Sequence, residues 1–219
     1  MSTEAANSPP TSAPAKDQTY PLSQKLNVSF SALEDRLIVR ADRMQTEPVI
    51  MLFTRRMTLL VLQQTIARLP ELSALDKTPS AYWQEVLQMA HQQAMQAKTE
   101  ADKTVAAAKQ TDAGDADKPG PASDEKQSIY LATELTVQVN RDHRLTLAFR
   151  GLRMPDAMTE ARPHQPLLAI PLTVDNVHQL IELLIVKCQE AQWHLPLDLP
   201  WLSPPAASSA PTGGVVLAH

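Results

Sequence analysis

The chain has 219 residues, of which 43% are hydrophobic but only 4% aromatic, and it carries a net charge of −4. A core of this composition is built from aliphatic side chains, and the mild charge gives no reason to invoke a polyanionic partner for the chain as a whole. Of five glycines only Gly151 falls within a periodic segment, and neither GxGxxG nor GxxxxGK[ST] occurs, so the glycine-rich phosphate loops of those classes are missing.

The single cysteine, Cys188, leaves no intramolecular disulfide and fits a reducing compartment. The first residues carry Glu4 and Asp17 and lack the apolar stretch of a secretory signal. No run reaches the length of about eighteen apolar residues that a membrane span needs. A cytoplasmic protein without membrane association is therefore expected.

Residues 1–21 are rich in Pro, Ser and Ala and are expected to form a disordered tail. From Leu26 the period is two, with Leu26, Val28 and Phe30 on one side and Asn27, Ser29 and Ser31 on the other, which predicts a half-buried strand. Leu33 to Arg36 turns the chain, and Leu37, Val39 and Ala41 resume the alternation. Val49 to Phe53 is continuously apolar, as a central strand covered on both faces would be. Thr54 is placed to cap a helix whose stripe runs through Met57, Val61, Leu62, Ile66 and Leu69, with Pro70 as its stop.

Ser80 opens a second helical segment with Trp83, Val86, Leu87 and Met89 on one face, thinning to an alanine seam from Ala94 onward. That stretch reads as a solvated helix running into a flexible linker rich in Asp, Gly, Pro and Lys, so 76–127 is assigned to helix and linker. Leu135 to Val139, Leu145 to Phe149 and Leu167 to Leu172 then repeat the strand pattern. Thr173 caps a last helix with Val177, Leu180, Ile181, Leu184, Ile185 and Cys188 inward.

The expected fold is α+β: two pseudo-repeated β-β-β-α units, 22–75 and 128–202, sharing one core. Antiparallel sheet, single or split in two, carries the helices on one face, followed by a disordered tail over 203–219. Each unit alone buries too little surface to stand by itself. The segment from Pro196 to Leu202 is expected to lie over a sheet edge, with Trp201 covering apolar surface.

Catalytic chemistry finds little to work with. Cys188 sits on an apolar stripe without a partnered His or Asp. The six histidines, among them His91, His143, His164 and His178, form no HExxH or paired ligand spacing and read as solvent-facing. No catalytic residue, metal ligand or cofactor is assigned. Arginine is the exception in its distribution: between Arg36 and Arg68 there are six, against two acids, Asp42 and Glu47. Arg55 and Arg56 stand in the first helical turn, where the dipole disfavours cations, so Arg55, Arg56 and Arg40 are the candidate anion- or partner-binding residues.

The expected function is a non-catalytic protein-interaction module acting as adaptor, assembly factor or regulator, with another protein as partner and self-association open to it. Repeated sheet–helix units bearing basic residues also resemble, in topology only, the PC4-like and Whirly single-strand nucleic-acid binders. That resemblance implies a strand-gripping sheet with stacking aromatics but assigns no residue here, since the strands hold only Phe30, Phe53 and Phe149. A structural subunit of a larger assembly is the third reading.

Overall fold

The structure, a computed structural model, describes residues 19–43, 47–75, 78–111, 128–197 and 199. The expected terminal tails fall outside these residues except for Thr19 to Pro21, and so do nearly all of the linker and the placement of Trp201.

Among the described residues six strands and three α-helices follow in the order β1 (Ser23–Ser31), β2 (Arg36–Arg43), β3 (Val49–Phe53), α1 (Arg55–Leu72), α2 (Trp83–Thr111), β4 (Ser128–Val139), β5 (Leu145–Arg153), β6 (Gln165–Leu172) and α3 (Val174–Glu190). The strands make one sheet in the order β1-β2-β3-β4-β5-β6. The fold is α+β as expected, but the sheet is mixed and not antiparallel throughout. β3 and β4 run parallel, with Val49 beside Ser128 and Leu52 beside Leu131.

The reason lies at the start of β4. Ser128 to Glu134 extends the strand well before the alternating Leu135–Val139, and this extension is the part that reaches β3. A bulge between Ala132 and Glu134 separates the two halves of β4, so the side-chain alternation breaks where the pairing changes. At the opposite sheet edges, the Ala169 N–H donates to the Pro21 carbonyl at 2.8 Å, and Leu22 bridges Ala169 in parallel. Ordered chain thus begins before residue 22.

The two strand sets share several local features. Leu37 faces Phe53 and Val39 faces Met51, while Leu145 faces Leu172 and Leu147 faces Ile170. The first strand of each set is bulged, between Ser23 and Lys25 and between Ala132 and Glu134. Asp35 (φ 49°) and His143 (φ 53°) take the left-handed conformation two residues before Leu37 and Leu145. Polar short side chains tolerate that conformation in tight turns.

Capping follows the same pattern. Thr54 Oγ1 accepts from Met57 N–H at 3.2 Å, and Thr173 Oγ1 accepts from Asn176 N–H at 3.3 Å. Each satisfies a helix donor that otherwise lacks a partner. Pro70 does not end α1, which continues to Leu72. In the final turn a proline forfeits one backbone bond, and Ser73 N–H still closes the helix on Leu69 O at 2.9 Å.

α1 and α3 pack on each other and on the same sheet face. Val61 from α1 and Leu180 and Leu184 from α3 meet Val28, Val39, Met51, Leu147, Phe149 and Ile170 there. α1 also packs against β4, and α3 against β1, so each helix lies across a parallel contact between strands. Residues from both strand sets enter one hydrophobic cluster, including Leu37, Met51, Leu62, Leu147, Leu168 and Ile181. α2 packs against α3, and its residues Lys98 to Thr104 all face solvent.

Candidate functional site

The second face of the sheet is also apolar at its centre. Because Leu37, Val39 and Ala41 point to the helices, Ile38 and Arg40 point away from them, as do Ile50 and Leu52 on β3. Pairing then sets Ile38, Leu52, Leu131 and Leu152 in one row across β2, β3, β4 and β5. A second row runs Arg40, Ile50, Ile129.

Over part of this face hangs the segment between β5 and β6, which begins with the cis Met154–Pro155 peptide and a short helical turn, Asp156–Met158. The Met154 N–H donates to the Ile129 carbonyl at 2.9 Å and fixes one end of this strap to the sheet. Its other end is held by a polar clasp. Arg150 donates to Glu134 Oε2 at 3.0 Å and to the His164 carbonyl at 2.9 Å, and His164 Nδ1 meets Glu134 Oε1. The His164 hydrogen bond, followed by the neighbouring Arg150 charge, holds the Glu134 carboxyl below its usual range against the opposing effect of burial.

Between strap and sheet lies an open groove of about 410 Å³, lined by Glu34, Arg36, Leu52, Ile129, Met154, Pro155 and Met158. Met158 is 73% exposed and Ile129 39% exposed, while Leu52 at the floor is 6% exposed. This combination of apolar walls, a buried floor and a charged rim suits capture of an apolar side chain from another molecule.

The arginines singled out from the sequence are not gathered at one point. Arg55 forms an ion pair with Asp35 at 3.6 Å and lies over the Trp193 ring, 5.7 Å from its centroid. Trp193 in turn donates to Asp35 Oδ1 at 2.6 Å and meets Phe30 edge-on at 6.3 Å. The Arg55 charge is therefore engaged in tying the segment after α3 to the β1–β2 turn. Arg56 is exposed in the first turn of α1 and has no ion pair among the described residues. Arg40 stands on the outer sheet face beside Ile50, in the row that ends on Ile129.

Two histidines read as solvent-facing are instead buried. His178 is wholly inaccessible and His91 nearly so, with their rings 5.5 Å apart where α2 meets α3. His178 has Val174, Ile181 and Ile185 at helical spacing around it, which is the sequence signal that its side of α3 is covered. Desolvation and then the nearby His91 push the His178 pKa down to about 4, with Asp175 opposing. Desolvation also lowers that of His91, against the pull of Glu182, whose carboxylate lies 3.5 Å away.

Cys188 is buried, and desolvation raises its thiol to about 11, which keeps it protonated and poorly nucleophilic. Among the described residues no group of three or more His, Cys, Asp or Glu is placed to hold a metal ion, and no helix is long and apolar enough to cross a membrane. No protein-family model, no curated protein and no solved structure matches this chain.

The groove was missed from the sequence because its walls are far apart along the chain. Leu52, Ile129 and Met158 meet only through the parallel β3–β4 pair and the strap. The one available signal was the apolar Ile129 and Leu131 just after the polar linker.

Proposed function

We propose that the protein is a non-catalytic protein-interaction module, an adaptor, assembly factor or regulator working in the cytoplasm, and that the groove under the strap receives its partner. The observation that carries this reading is the pairing of exposed Met158 and Ile129 across a floor of Leu52. Large apolar side chains left accessible together are commonly binding surfaces. A protein fits the groove better than a nucleic acid does. Phe53 and Phe149 stack on each other within the core at 5.2 Å, and Phe30 is held by Trp193, so none offers a ring for a base.

We also read the two β-β-β-α sets as one motif used twice. The matched facing pairs, the two bulges, the left-handed turn residues and the twin threonine caps support it. On this reading the groove forms where the two copies are joined side by side at β3 and β4.

The test is co-purification of the tagged full chain with its cellular partner, compared with Ile129→Lys and Met158→Glu. Both positions are exposed, so the variants are expected to fold and to lose the partner. A complex that survives both substitutions rules the groove out.

A further inference from the structure

The two buried histidines belong to different helices, and they meet within the main contact that α2 makes with the rest of the molecule. His91 is 8% exposed and His178 0%, with their ring centres 5.5 Å apart. Beside them lie Leu87 and Ala94 of α2, both buried, and a hydrogen bond donated by Gln179 Nε2 to the Ala94 carbonyl at 3.3 Å. The residues that close the core between α1, α3 and the sheet, among them Val61, Leu180 and Leu184 against Val28, Met51 and Phe149, include none from α2. Departure of α2 would therefore leave that packing in place.

The charges that act on the two rings come from α3 itself. Glu182, one turn past His178, brings its carboxylate within 3.5 Å of His91 Nε2. Asp175 stands one turn before His178 and is exposed. On α2, Glu85 is exposed and Lys98 is paired with Asp102 at 2.9 Å. α1, β1 and β6 also pack on α3, and where they meet it they present Val61, Leu26, Val28 and Ile170, all apolar.

We infer that α2 is an acid-released arm: protonation of the His91–His178 pair undocks α2 from α3 while the sheet, α1 and α3 stay folded. A proton on His178 places a cation where water does not reach, and a second on His91 sets two like charges side by side. Undocking relieves both, because each ring is then solvated. Burial lowers both pKa values in the docked state, so the undocked state binds more protons. Docking is accordingly strongest above the ordinary histidine range and weakens as the pH falls through it. Glu182 opposes release, since its carboxylate favours a charged His91. Release uncovers Leu87, Ala94 and the His178 side of α3 together, an apolar surface that is hidden at neutral pH. A helix held by one such contact is the kind of element that opens locally, ahead of the whole fold.

The test follows amide hydrogen exchange in the full chain at pH 7 and pH 5, with each rate corrected for the intrinsic effect of pH on exchange. Amides from Leu87 to Ala94 report on α2, and those from Leu147 to Phe149 report on the sheet. Protection in α2 is expected to fall at least about tenfold between the two pH values, as linkage gives for a histidine held near 4 when docked and free to titrate normally when released. Protection in β5 should hold. His178→Leu should keep α2 protected at pH 5, and His178→Gln, neutral at both pH values, should do the same and serves if the leucine variant does not fold. Glu182→Gln should deepen the loss.

Equal loss of protection in α2 and β5 would mean that the whole fold opens, and the arm would be overturned. So would α2 protection that is the same at both pH values, or a fall in the His178 variants as large as in the unaltered chain.

Discussion

Gly151 shows how closely β5 is packed against its neighbours β4 and β6. A methyl group at this position would run into the Leu131 carbonyl oxygen and come within 2.8 Å of Leu167 Cδ1. The first of these is backbone beside the parallel strand pair and has no side-chain freedom with which to yield. Gly151→Ala should therefore destabilise the fold by about 1–3 kcal/mol, read from the urea midpoint, in line with overpacking at other tight sites. At the same scale, His178 makes stability depend on acid. Its proton is taken up near 6.5 in the unfolded chain but only near 4 in the folded one, so between those values the unfolded state binds more protons. Stability is then fully present above about pH 6.5 and declines toward pH 4, by on the order of 3 kcal/mol. His178→Leu should flatten that decline in a pH series of denaturation curves. An unchanged slope would show that His178 is not the group responsible.

Elements carry the stability that frames the groove, and the helix caps are the simplest to test. Thr54→Ala and Thr173→Ala should each cost about 1 kcal/mol, since each leaves one backbone donor of its helix without the hydroxyl. Much of this level was legible in the sequence. The alternation Leu26–Val28–Phe30 and Leu37–Val39–Ala41, the apolar run of β3 and both threonine caps all correspond to elements of the structure. The first half of β4 was not legible, because the bulge at Ala132 and Glu134 interrupts the alternation by which a strand is recognised. α1 ran past Pro70 because a proline in the last turn loses little that the cap does not recover. The burial of His91 and His178 was hidden because it depends on α2 docking on α3, a tertiary contact made by a helix that looks solvated alone. The groove was hidden for a similar reason: Met158 stands in a stretch without period, held to the sheet by the Met154–Ile129 backbone bond at one end and the clasp of Glu134, Arg150 and His164 at the other.

At the scale of the whole molecule, the parallel contact between β3 and β4 unites the strands on either side of α2. It shares a core with α1 and α3 on one face and bears the open groove on the other. Residues 1–111 expressed alone are expected to give no cooperative thermal transition by circular dichroism, because α1 and β3 would lose β4 and α3 together. The claim on which the functional reading turns is that the groove is where another protein sits. Its most direct measurement replaces Met158 with a photo-crosslinking residue in the living cell, and replaces Gln63, exposed on α1, in a parallel strain. The account predicts a discrete protein adduct from position 158 that the Ile129→Lys background removes, and none from position 63. Adducts from 63 with none from 158 would contradict it.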